Sequence, residues 1–164
     1  MPEQASDASE TVKDVLETLL SMMEISGSIV PKDSPAVGDE EEATAPIAFN
    51  IEGDDLGILI GRRGQTLASF QYIVRLIVGQ QIKTWLPIVI DVEGYKQRRY
   101  QVLHALAQRM AEQVKARGAP FTLEPMPAYE RRIIHIALAD YPDVTTESIG
   151  EGLFRKVVIL PKKG

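Results

Sequence analysis

Residues 54–67 read Asp54-Asp55-Leu56-Gly57-Ile58-Leu59-Ile60-Gly61-Arg62-Arg63-Gly64-Gln65-Thr66-Leu67, and an apolar stripe continues from there to Gly79. The centre, Gly61-Arg62-Arg63-Gly64, breaks two helical patterns. Its glycines let the backbone turn tightly and approach a ligand closely. Its arginines stand where the second helix begins. A helix start carries unpaired N–H groups and the positive end of the helix dipole, so it favours anions. The stretch reads as a phosphate-facing loop, with Gly61, Arg62, Arg63, Gly64 and Gln65 as its contact residues.

The loop and its flanks, Leu59-Ile60 before and Leu67, Phe70 and Tyr72 after, resemble the Gly-x-x-Gly loop of a KH domain. That resemblance implies a clamp on about four single-stranded nucleotides. It places the phosphates on the loop and the bases in an apolar groove formed by Ile60, Leu67 and the segment Ile47 to Ile51. The plain alternative is a helix break whose arginines reach only solvent.

Working outward, residues 1–10 read as a polar, disordered leader. A helix is expected from Ser9 or Thr11, with Val12, Val15, Leu16, Leu19, Leu20, Met22 and Met23 on its apolar face. Thr11 and Asp14 have capping-box spacing, and Gly27 is placed to end the helix. Ser28-Ile29-Val30 reads as a short strand. Residues 33–45, with the acidic run Asp39-Glu40-Glu41-Glu42, read as a loop, and residues 46–52 as a half-buried strand. After the glycine loop, a helix over 65–78 buries Leu67, Phe70, Ile73, Val74 and Ile77, and Gly79 serves as its C-cap. Residues 84–92 are rich in β-branched and aromatic types and read as a strand, with Trp85 and Tyr72 in the core. The order helix, strand, strand, helix, loop, helix, strand over 11–93 resembles the type II KH fold.

A second unit follows over 94–161. A long helix over 95–117 has Val102, Leu103, Leu106, Met110 and Val114 on one face. The other face carries Lys96, Arg98, Arg99, Arg109, Lys115 and Arg117. A short strand over 121–124, a helix over 128–139 and two strands joined near Gly150-Glu151-Gly152 complete it. Within Glu130-Arg131-Arg132-Ile133-Ile134-His135, Arg131 and His135 are four apart and share a helix face. This spacing resembles the signature of the R-three-H family, whose members bind single-stranded nucleic acid. Arg98, Arg99 and Arg132 are candidates for a basic patch beside it. The structural alternative pairs Arg131 with a carboxylate and His135 with a backbone carbonyl.

Together the loop at 55–64, Gly94-Tyr95 with Arg98-Arg99, residues 130–135 and Arg155-Lys156-Val157-Val158-Ile159-Leu160-Pro161 resemble the Jag (SpoIIIJ-associated) or KhpB family of bacterial RNA-binding proteins. The likeness covers about residues 11–161. It implies an α+β fold, a type II KH domain followed by a small α/β R-three-H domain. It also implies binding of single-stranded RNA as a post-transcriptional regulator or RNA chaperone. A small stand-alone KH protein, or self-association, is the protein contact implied. Longer members of that family begin with an extra small domain and a linker, and neither is expected within this sequence.

Composition sets limits. A hydrophobic content of 45% and a charged content of 25% are ordinary for a globular protein, and no apolar run is long enough to span a membrane. There is no cysteine and only two histidines, His104 and His135, well separated, so no metal site is expected. The leader lacks signal-peptide character, and a cytoplasmic location is expected. The net charge of −5 conceals a division: residues 1–55 hold 14 acidic and 2 basic side chains, residues 56–164 hold 9 and 16. An acidic leading segment therefore precedes a basic body that suits a polyanion. No nucleotide-binding or nucleophile-elbow motif is present, so neither catalysis, a cofactor nor a small-molecule substrate is expected. The rival readings are a protein-interaction scaffold and a single-stranded DNA binder.

Overall fold

The computed structural model describes residues 2–33, 45 and 47–163. The chain divides into two compact units, 1–96 and 97–164, with the boundary in the first turn of a long helix. The expected acidic hairpin connection at 39–42 lies outside the described residues.

In the first unit, α1 (Pro2–Met22) is followed by β1 (Ser28–Pro31), β2 (Ile47–Glu52), a one-turn α2 (Gly57–Ile60) and a 3-10 turn (Arg62–Gly64). Then come α3 (Gln65–Ile82) and β3 (Ile88–Val92). The sheet order is β1-β2-β3, with β1 antiparallel and β3 parallel to β2. A parallel neighbour requires a crossover, and α2, the glycine loop and α3 are that crossover. Val12, Val15, Leu16 and Leu20 of α1 join Leu67, Phe70, Val74 and Val78 of α3 over Ile47, Phe49, Ile51, Ile88, Ile90 and Val92 of the sheet. This α+β arrangement has the expected order of elements.

Several local expectations are corrected. Helix α1 starts at Pro2, so residues 2–10 are helical and not a disordered leader. Thr11 is inside that helix, where its Oγ1 donates to Asp7 O at 2.9 Å, and it forms no capping box. The helix ends at Met22, with Glu24 in a left-handed conformation, before Gly27 is reached. Gly79 is not a C-cap. Helix α3 runs on to Ile82 and Lys83 takes the left-handed position.

The buried stripe of α3 is Leu67, Phe70, Gln71, Val74 and Val78, while Ile73 is exposed. Gln71 is buried because its Oε1 accepts from Ile90 N at 2.9 Å, and Arg75 Nε donates to Ile88 O at 2.8 Å. These two side chains bond backbone groups on the outer edge of β3, which another strand would otherwise compete for. Trp85 and Tyr72 are 54% and 59% exposed and are not core. Opposite the main core, buried Asp91 pairs with Lys32 at 2.8 Å and accepts from the N–H groups of Val92 and Lys96. Lys96 Nζ donates to Gln71 Oε1, so this cation belongs to the buried polar network and not to an open basic face.

The second unit takes most of α4 (Tyr95–Arg117), then β4 (Phe121–Thr122), α5 (Ala128–Leu138), β5 (Val144–Ile149) and β6 (Lys156–Pro161). Its antiparallel sheet has the order β4-β6-β5. Leu103, Ala107, Met110, Ala111 and Val114 of α4 pack with Ile134, Leu138, Val144, Val157 and Ile159. Val102 is exposed; the small residues Ala107 and Ala111 occupy the face expected of it.

Candidate nucleic-acid interface

The loop of the first unit is built by its backbone. Gly61 has φ 70° and ψ −174°, a region open essentially to glycine alone. A Cβ there would stand 2.0 Å from Thr66 Oγ1 and 3.0 Å from Thr66 N. Arg63 adopts φ 54°, ψ 30°, and Gly64 follows at φ 76° as the residue that opens α3. A Cβ at Gly64 would lie 2.7 Å from the Tyr95 ring, so the loop rests directly on that side chain. Gly64 has no side chain to cap the helix, and the first turn of α3 contains no acidic residue. The positive end of an 18-residue helix thus carries no carboxylate in its own first turn.

Arg62 and Gln65 are exposed and Arg63 is half-buried on this turn. Ile60 is half-buried and packs on the core. Leu67 is only 2% exposed, and Ile47 and Ile51 are buried with it. Leu67 therefore supports the loop from below and cannot line a groove. The exposed apolar side chain beside the loop is Ile58 of α2, a residue the sequence pattern left unmarked.

The cluster of the second unit is built by side chains. His135 of α5 is half-buried against β5, with Nδ1 2.6 Å from Thr146 Oγ1 and Nε2 2.8 Å from Ser148 Oγ. Each hydroxyl can donate or accept, so a neutral imidazole is satisfied at both nitrogens. Burial pushes the His135 pKa down, and the charges of Arg131 and Arg155 push it further. Arg131 shares the face of His135, and its Nε donates to Met126 O at 3.2 Å, not to a carboxylate. Arg155 Nη1 donates to Gly150 O at 2.7 Å. Two guanidinium groups thus flank an imidazole held by two hydroxyls.

Arg99 leaves the expected basic patch. Its Nε and Nη2 grip both oxygens of fully buried Glu130, at 2.9 and 3.2 Å. A bidentate pair of this kind ties α4 to α5. Arg98 and Arg132 are exposed. The sequence marks Arg155 only as part of the closing motif 155–161, and it does not mark Thr146 and Ser148 as contacts. Their one signal was the period-2 placement of two hydroxyl residues on the strand face that also carries buried Val144. Among the described residues no group of acidic or histidine side chains is placed to hold a metal, and no helix is long and apolar enough to cross a membrane.

An Arg-bearing Gly-x-x-Gly turn on an α-β-β-α-α-β unit, followed by an Arg-x-x-x-His helix against a three-stranded sheet, defines a tandem KH and R-three-H protein. The KH domain of KhpA/KhpB matches residues 9–89, and the R-three-H domain matches residues 101–161. RNA-binding protein KhpB of Clostridium symbiosum is 47% identical over 122 residues, covering 74% of this chain and 55% of that protein. Its counterpart in Bacillus subtilis (strain 168) is 31% identical over 156 residues, covering 94% and 74%. That of Streptococcus pneumoniae serotype 2 is 26% identical over 168 residues, covering 96% and 51%. The chain belongs to the KhpB (Jag) family. It spans from about half to three quarters of the length of these three relatives.

Proposed function

We propose that this chain is a non-catalytic, cytoplasmic binder of single-stranded RNA that holds the phosphate backbone on the loop from Gly61 to Gly64. The observation that carries this reading is the loop's geometry: glycine-only backbone at the start of an uncapped helix, with Arg62 and Arg63 on the turn and no acid in the next one. Backbone N–H groups and guanidinium groups act on phosphate, which sets position and affinity. Ile60 and exposed Ile58 offer the apolar contact for bases, in place of Leu67. Arg131, His135 and Arg155 supply a second phosphate contact, with exposed Arg98 and Arg132 adding charge around it. Post-transcriptional regulation or RNA chaperoning is the role this reading assigns to that binding, and the relatives named as RNA-binding proteins support the binding itself.

The test is an anisotropy titration of a fluorescent oligouridine with Arg62→Asp and Arg63→Asp combined. The affinity should fall by at least tenfold while the melting temperature stays put. An unaltered affinity sinks the loop. The slope of log affinity against log salt should be about −0.7 for each phosphate held. A slope near zero favours a scaffold.

One observation favours a protein contact as well. Exposed Leu76 and Trp85 line a shallow cavity of about 490 Å³ together with Arg75 and Lys83, and exposed Tyr72 and Ile73 lie a turn earlier on α3. Self-association or a small stand-alone KH protein suits this strip. Trp85→Ala would then abolish a higher sedimentation coefficient and leave RNA affinity unchanged.

A further inference from the structure

The connection between β5 and β6 exposes an apolar pair that the fold does not use. Leu153 is 93% exposed and Phe154 is 78% exposed. They are not on a slack loop. Residues 152–154 form a 3-10 turn in which Phe154 N donates to Glu151 O at 3.1 Å and Arg155 N donates to Gly152 O at 3.3 Å. Gly150, at φ 87°, packs so closely that a Cβ would meet Phe154 O at 3.0 Å. The ring is therefore displayed on a hydrogen-bonded support.

The same support continues into the polar cluster. Arg155, next in sequence, bonds Gly150 O. Two residues before Gly150, Ser148 bonds His135. An exposed ring, a guanidinium and the imidazole site thus occur on one short connected segment of the sheet. Backbone phosphate and unpaired base alternate along a single strand in the same way. The ring is neutral, so the exposed carboxylate of Glu151, three residues before it in the same turn, does not oppose a base there.

We propose that Phe154 is a stacking platform for one unpaired base, on a strand whose phosphate is held by Arg155 and the His135 cluster. The platform makes the second unit selective for single-stranded over duplex RNA, because a base inside a duplex has no free face to offer. Leu153 covers the edge of that base. This assignment rests on the reading that the second unit contacts RNA at all.

The test uses the full chain and a fluorescent oligouridine, with an RNA duplex of equal length as competitor. Phe154→Ala should weaken single-strand binding by about tenfold, the scale of one stacked base. The duplex affinity and the salt slope should not move, and Phe154→Trp should restore binding. In a second measurement, Phe154→Trp combined with Trp85→Phe leaves a single indole, whose fluorescence should be quenched as oligouridine is added. If Phe154→Ala binds normally and the indole is unquenched, while Arg131→Ala with Arg155→Ala weakens binding, the second unit contacts RNA without stacking and the platform is overturned. If neither Phe154→Ala nor the combined Arg131→Ala and Arg155→Ala alters binding, the RNA contact of the second unit fails, and the platform fails with it.

Discussion

The two candidate contacts are built by opposite means. In the first unit the candidate loop is shaped by backbone: Gly61 and Gly64 at positive φ, with Arg63 also left-handed, and the turn resting on the Tyr95 ring. In the second unit the backbone is ordinary helix and strand, and the arrangement comes from side-chain bonds. Thr146 and Ser148 hold His135, Glu130 holds Arg99, and Gly150 O holds Arg155. The first device fails when an atom is added. The second fails when an atom is removed.

The largest effect is expected from removal. Glu130→Ala leaves the Arg99 guanidinium, which is only one-fifth exposed, without its buried carboxylate. Removing one partner of a buried pair costs about 3–5 kcal/mol. The second unit should lose its cooperative thermal transition, read by circular dichroism, while the Gly61 to Gly64 loop keeps its RNA contact. A melting curve within about two degrees of the parent, well under the shift that 1 kcal/mol produces in a unit of this size, breaks the claim that this unit is side-chain built.

Addition should come next. Gly61→Ala forces a Cβ into Thr66 and into a backbone region that non-glycine residues avoid. Strain and overpacking together cost about 2–4 kcal/mol. RNA affinity should fall with stability, because the turn cannot keep its shape. Replacing exposed Gln65 by Ala, four residues further on, should change the stability by no more than about 0.5 kcal/mol. If the Gly61 and Gln65 variants behave alike, the loop is not set by its backbone.

This contrast also explains what could be read from the residues. Helix α4 falls on the expected 95–117, and the type II order of elements holds, because long apolar periods and glycine breaks are printed in the chain. The glycine loop was legible for the same reason: a backbone device needs glycine, and glycine is visible. The misses share one cause, which is that hydropathy does not show a side chain's partner. Gln71 is buried because it caps a strand edge, and Arg99 is withdrawn from the surface by Glu130. Leu67 was assigned to a groove because it is apolar and near the loop, but its helical position turns it into the core. The hydroxyls around His135 come from a strand eleven and thirteen residues away, and only their period-2 placement announces them.

A smaller effect is expected from removing either hydroxyl. Thr146→Val keeps the shape of the side chain and removes one partner of the ring, which should cost about 1 kcal/mol in a melting experiment. Ser148→Ala should act similarly, and both together should free the ring and broaden its NMR signals. A ring that stays sharp in the double variant is held by packing alone.

The subtlest prediction concerns protons. Burial, and then the charges of Arg131 and Arg155, lower the His135 pKa from its ordinary value of 6.5. In that direction the unfolded chain takes up the proton first as pH falls. Stability from the neutral ring is fully present above about pH 6.5, and is lost as the pH drops from there through the folded pKa. RNA should act with the opposite sign. A phosphate beside Arg131 and Arg155 would offset the two charges that oppose protonation, so bound oligouridine should raise the His135 pKa. By linkage, the affinity of this unit should then rise on acidification while its stability falls. An NMR titration of the His135 ring, with and without oligouridine, checks both signs in one experiment. If the pKa is the same in both, no phosphate sits at this cluster, and the RNA contact reduces to the backbone-built loop of the first unit.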